Sequence, residues 1–104
     1  MAYIPRAKLK GYLLSDSHPV GKAKARFFHR FGYDESTIER LESDFINIAQ
    51  SHDVTEVATT AHGTKYIMDG FLNTPIGRQV LVRTVWIVDA GQDRPRFVTA
   101  HPTR

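Results

Sequence analysis

The apolar positions of the chain change their period shortly after residue 50. Before that point they recur three and four residues apart, the spacing of a helix; after it they alternate or run together, the habit of strands. In the opening segment, Pro5 suits a first helical turn, and Leu9, Tyr12 and Leu13 share one face at helical spacing. That predicts a short helix or turn. A strand with Leu9, Gly11 and Leu13 alternating is the weaker alternative, because Gly11 weakens either element. Ser15, Asp16, Ser17, His18 and Pro19 form a loop whose residues favour a helix start. The following helix is clearest from Lys22 to Phe31, with Gly32 as its stop. Val20, Ala23, Phe27, Phe28 and Phe31 make its apolar arc, and Lys22, Arg26, His29 and Arg30 face solvent. Lys24 breaks the division. It falls between Phe28 and Phe31 inside the apolar arc, where a lysine must snorkel, pair or serve chemistry.

A second helix starts after Tyr33, capped by Asp34 or Ser36, with Ser36 and Glu39 in capping-box spacing. Its stripe is Ile38, Leu41, Phe45, Ile48 and Ala49, and Glu42 at the edge shows that Lys24 is not the lone ionic residue near an apolar arc. Strands then follow over Val54–Thr59, Thr64–Phe71, Arg78–Asp89 and Arg96–His101, the second expected to kink at Gly70. His62-Gly63 is a turn, and Asn73-Thr74-Pro75-Ile76-Gly77 a hairpin loop with Pro and Gly in turn positions. The stretch QVLVRTVWIV is apolar on both faces and reads as a central strand covered on both sides. Helices first and a four-stranded antiparallel meander second make an α+β domain, with the N-terminal helices packed on the sheet. Residues 1–104 are expected to form a single domain, without repeat or linker.

Composition narrows the function classes. A hydrophobic content of 41% and 11% aromatic residues suit a globular domain with its own core. The net charge of +3 suits a polyanionic partner, though it does not require one. With zero cysteines there is no disulfide, thiolate metal site or cysteine nucleophile. No apolar run approaches the ~18 residues of a membrane span, and the N-terminus lacks a signal-peptide core. A cytoplasmic protein without membrane association is expected.

Polar side chains within apolar strands carry the candidate chemistry. Arg83 shares a face with Leu81, Val85 and Ile87, and an arginine there is costly unless its guanidinium is paired or reaches an open cleft. Glu42, Asp44 and Asp69 are its possible structural partners. Thr84 and Trp86 lie on the other face of that strand. Thr99 and His101 share a face of the last strand, and adjacent pairing would bring them near Thr84 or Trp86. His18, before Pro19 at a helix mouth, is placed for an anion and for proton transfer near neutral pH. His29, His52 and His62 read as a solvated residue, a helix end and a turn. The histidines lack metal-ligand spacing, so no metal and no cofactor are expected.

Taken together, KLKGYLL (Lys8–Leu14), HPVGKAKARFF (His18–Phe28) with FG after it, LVRTVW (Leu81–Trp86), G..RPR (Gly91–Arg96) and VTAHP (Val98–Pro102) resemble a family of small bacterial domains. Related segments occur as C-terminal domains of phage-head-type and polymorphic-toxin proteins. The order of helices and strands is similar to the barnase–EndoU–colicin–RelE group of metal-independent ribonucleases (BECR fold). Free-standing copies look like toxins of toxin–antitoxin modules. The resemblance implies an endoribonuclease toxin with an RNA substrate and a cognate antitoxin protein. It carries the polar positions over to His18, Lys24, Arg83, Thr84 and Thr99. His101 departs from the tyrosine more often found before that proline. In the implied transesterification His18 is base or acid, Lys24 and Arg83 clamp the scissile phosphate, and Thr84 and Thr99 donate hydrogen bonds. Lys22, Tyr66, Trp86 and His101 are expected to contact substrate, with Trp86 or Tyr66 stacking a base. A non-catalytic RNA- or protein-binding module is the alternative. An immunity or antitoxin role fits less well, since such partners tend to be acidic.

Overall fold

The computed structural model describes residues 2–15, 22–51 and 54–103. Within them the chain runs through α1 (Arg6–Lys8), a π-helical turn (Leu9–Leu13), α2 (Lys22–Arg30), a 3-10 turn (Glu35–Thr37) and α3 (Ile38–Gln50). Four strands follow: β1 (Val54–Thr60), β2 (Gly63–Asn73), β3 (Gln79–Asp89) and β4 (Arg96–Pro102). They pair antiparallel in the order β1-β2-β3-β4, the α+β arrangement that the change of period predicts. Among the described residues no helix is long and apolar enough to cross a membrane.

Pro5 takes the N-cap position of α1, one residue earlier than expected, where its missing N–H costs nothing. The chain then widens into the π-helical turn, closed by Leu14 N–H donating to the Leu9 carbonyl at 2.8 Å. Leu9 and Leu13 are fully buried by it, and Tyr12 is half-buried beside them. Just before α1, Tyr3 exchanges backbone hydrogen bonds with the edge of β4, at 2.9 Å to the Pro95 carbonyl and 3.0 Å from Phe97 N–H. The N-terminal segment is thereby strapped to the outer edge of the sheet.

In α2 the buried residues are Ala25 and Phe28, with Phe27 and Phe31 at the margins and Ala23 exposed. The arc therefore sits slightly to one side of the predicted one. Val20 lies outside the described residues. Helix α3 buries Ile38, Leu41, Phe45 and Ile48 as its stripe predicts. Its entry is capped differently from the Ser36–Glu39 expectation. Asp34 accepts from Ser36 N–H at 2.8 Å while Thr37 Oγ1 accepts from Asp34 N–H at 2.9 Å. The extra 3-10 turn moves the box two residues upstream.

A line of rings docks the helices on the sheet. Phe28 of α2 meets Phe45 of α3 edge-on at 5.9 Å, Phe45 stacks on Phe97 of β4 at 5.0 Å, and Phe97 meets Trp86 of β3 at 5.3 Å. The helices cover one face alone. Val82, Thr84 and Trp86 of β3 are buried against them, whereas Leu81, Arg83, Val85 and Ile87 are half-exposed on the far face. The expectation of a doubly covered strand is thus corrected: among the described residues no second layer lies on that face, and cross-strand neighbours explain the apolar residues there. Nor does β2 break at Gly70. That glycine lets Ile48 of α3 approach, since a Cβ there would lie 2.8 Å from Ile48 Cγ1. The β2–β3 loop is locked by Thr74, whose Oγ1 donates to the Arg78 carbonyl at 2.6 Å, and by Gly77 at φ 83°.

The last strand carries a bulge. Pairing with β3 shifts register between Val85 and Trp86, so Val85 faces Thr99 while Trp86 faces Phe97 and Val98 is skipped. Phe97 and Ala100, three residues apart, are consequently both buried, which strict alternation forbids. The same register sets Thr99 opposite Val85 and His101 opposite Arg83. The predicted closeness of Thr99 and His101 to Thr84 or Trp86 is corrected accordingly; Ala100 and Phe97 hold those places.

Candidate active site

Lys24 lies one turn before Phe28 on α2, so the ring line that docks Phe28 also fixes where the lysine emerges. Its ammonium donates to Tyr12 Oη at 2.7 Å and to Thr99 Oγ1 at 2.9 Å. The two hydroxyls are themselves 3.2 Å apart. Three separate elements converge: the π-helical turn supplies Tyr12, α2 supplies Lys24 and the bulged edge strand supplies Thr99. All three side chains are half-buried, so the junction is held in place yet reachable from outside. Two further contacts concentrate positive charge on Tyr12, with the Lys8 and Lys24 ammoniums 5.5 Å and 5.2 Å from its ring centroid.

Burial raises the Tyr12 phenol, but the hydrogen bonds with Lys24 and Thr99 and the charges of Lys24 and Lys8 more than offset it, leaving it below its ordinary value of 10. A phenol placed this way gives up a proton more readily than one in water, and an ammonium beside it stabilises the anion left behind. Lys24 and Thr99, both candidates from the sequence, are in direct contact, and Tyr12 joins them unannounced. Helical spacing marks Tyr12 as a companion of Leu9 and Leu13, a core residue. The signal available in the sequence is the lysine pair around it, Lys8 and Lys10, with Gly11.

The other predicted residues are scattered around this point. His18 lies outside the described residues, as does His52. Arg83 makes a two-pronged pair with Asp69, through Nε at 2.8 Å and Nη2 at 3.0 Å, on the far face of the sheet. That pair is partly exposed, and Arg83 holds the Asp69 carboxyl below the usual carboxylate range. Of the three anticipated partners it is Asp69 that is used, because the two residues are direct cross-strand neighbours. His101 sits opposite Arg83 with Nδ1 3.1 Å from the Pro102 carbonyl. Thr84 and Trp86 are corrections. Thr84 is fully buried, donating to the Met68 carbonyl and accepting from the Trp86 indole N–H, both at 2.8 Å. A hydroxyl so enclosed cannot serve a substrate, and Trp86, 1% exposed, cannot stack on a base. Tyr66 is half-buried against the core beside Trp86, and Lys22 is exposed at the start of α2. His29 is exposed too, its Nε2 3.0 Å from the Leu14 carbonyl. Among the described residues no group of His, Asp and Glu is placed to hold a metal ion.

The model of a domain of unknown function, DUF6883, matches residues 1–104. The chain belongs to the DUF6883 family. No curated protein matches this DUF6883 domain. Among solved structures its fold is shared with a chain of a contact-dependent growth inhibition toxin–immunity protein complex from Klebsiella pneumoniae 342. The TM-score is 0.78 at 18% sequence identity, covering 98% of the DUF6883 chain and 100% of the other. Identity that low speaks for the fold, and the likeness extends over the whole domain rather than a shared hairpin or helix pair.

Proposed function

We propose that this DUF6883 domain is a metal-independent endoribonuclease toxin, cleaving RNA by attack of its own 2′-hydroxyl. The observation that carries the reading is the Lys24 ammonium, fixed by the Tyr12 and Thr99 hydroxyls at a half-buried but reachable point. Held there, it is a preorganised cation for a phosphate oxygen, and preorganisation is what makes such a charge effective in a transition state. Thr99, accepting from Lys24 at 2.9 Å, keeps that ammonium in place. His18, which precedes α2 in the sequence, takes the 2′-hydroxyl proton. Arg83, oriented by Asp69 through Nε and Nη2, supplies a second cation with Nη1 outside that pair. Lys22 and His101 extend contact along the RNA, and Tyr66, half-buried beside Trp86, is the aromatic residue for a base.

Support for a toxin comes from the shared fold, because the neighbour belongs to a toxin–immunity protein complex. The net charge of +3 favours the toxin side of such a pair over the inhibitor side, and suits an RNA target. A cognate immunity or antitoxin protein is the partner this reading implies, and cytoplasmic RNA the substrate.

The test is cleavage of total cellular RNA by purified protein in the presence of EDTA, with growth of an expressing host as the parallel readout. Wild type is expected to leave 2′,3′-cyclic phosphate and 5′-hydroxyl ends and to arrest growth. Lys24→Ala should lower the cleavage rate by about 10²–10³-fold, the usual effect of removing one transition-state charge contact, and should relieve the arrest. If wild type cuts no RNA in EDTA and growth is unimpaired, the reading gives way to a binding module.

A further inference from the structure

The Lys24 contact has a direction, and that direction assigns a role to Tyr12. An ammonium can only donate, so the phenol oxygen is the acceptor in their 2.7 Å bond, and that bond does not use the phenol's own hydrogen. The ring is fixed between the Lys8 and Lys24 charges, on a π-helical turn whose neighbouring leucines are fully buried. π-Helical turns are rare and concentrate at functional sites. A phenol backed by a cation gives up its proton more readily than a free one and so suits the role of an acid, whereas a lysine alone would have to surrender its charge to do so.

We propose that Tyr12 is the general acid of the cleavage reaction, delivering its phenolic proton to the leaving 5′-oxygen. The inference rests on the ribonuclease reading above. As the 2′-oxygen forms its bond to phosphorus, its proton passes to the base. The bond from phosphorus to the 5′-oxygen breaks with its electron pair on that oxygen, which takes the Tyr12 proton and departs as a 5′-hydroxyl. The Tyr12 phenolate that remains is stabilised by Lys24 at 2.7 Å and Thr99 at 3.2 Å, and water returns its proton after release. Lys24 thus has two tasks, holding the phosphate oxygen and receiving the developing phenolate charge. The site takes a phosphodiester with a poor, strongly basic leaving group, the case in which an acid matters most.

The experiment compares wild type and Tyr12→Phe on two substrates, an RNA dinucleoside and its analogue with sulfur in place of the bridging 5′-oxygen. Thiolate leaves without protonation. Tyr12→Phe is expected to slow oxygen-ester cleavage by about 10²–10⁴-fold in kcat with little change in KM, and to cut the sulfur analogue within about tenfold of wild type. Equal slowing on both substrates, or no slowing on either, overturns the proposal. Incorporation of 3-fluorotyrosine at position 12 keeps the fold and makes the phenol more acidic, lowering its pKa. The alkaline limb of kcat should then move to lower pH, since Lys8 and Lys24, which face the phenol among the described residues, are unchanged. An unmoved limb also overturns it. Wild type inactive on every RNA is a different failure, that of the ribonuclease reading itself.

Discussion

Tyr33 shows how strongly one buried hydroxyl can be tied to pH. Burial pushes its phenol up, its 2.7 Å hydrogen bond to Asp44 pushes it further, and Asp44's charge adds to both against a small opposing effect of Arg40. A folded-state value raised above the unfolded one contributes stability that is complete below the unfolded value and is lost as pH climbs through the window between them. Thermal melts should therefore hold steady to about pH 9.5 and fall beyond about pH 10, the unfolded tyrosine value. Tyr33→Phe should flatten that alkaline loss. It should also cost about 1–2 kcal/mol at neutral pH in urea titration, because Asp44 loses a donor while Arg40, at 3.8 Å, remains. Arg83 is the residue where sequence left two readings side by side, paired or reaching a cleft. The structure shows the pairing with Asp69, which nothing in strand periodicity could select over Glu42 or Asp44.

At the scale of elements, the ring line Phe28–Phe45–Phe97–Trp86 does more than fill space. It joins α2 to β4 through α3, and so sets the distance between Lys24 and Thr99. Phe45→Ala is expected to cost about 3–5 kcal/mol by cavity formation, measured as a shift in urea midpoint. A milder Phe45→Leu should lower cleavage more than its stability loss alone explains, since it lets α2 move relative to β4. Gly70 makes the opposite point. A methyl at that position would press on Ile48 at 2.8 Å, so Gly70→Ala should destabilise by about 1–3 kcal/mol. Ile48→Val in the same chain should recover part of it. Both effects come from α3 lying close on β2, an approach that the helix stripe implies only in outline.

For the molecule as a whole, acid sensitivity follows from carboxylates held below their usual range, which among the described residues are Asp34 by Ser36, Asp69 by Arg83 and Asp89 by Arg96. A lowered folded-state value contributes stability that is present above the unfolded value and lost as pH falls through the folded one, so melting temperature should drop below about pH 4. The order of helices and strands, the stripe of α3, the turns at His62-Gly63 and Thr74–Gly77 and the oddity of Lys24 were all determined by the sequence itself. Each is a matter of period or of turn chemistry within a few residues. What the tertiary structure alone decided is the company Lys24 keeps. Tyr12 and Thr99 are separated by 87 positions, and they meet because a π-helical turn, a bulge at Val98 and a line of packed rings bring three elements to one point. Hydrophobic period reports which side of an element is buried, but not where a bulge resets the alternation. That is why Thr84 looked available in the sequence and proved enclosed, while Tyr12 looked like core and proved to hold the lysine.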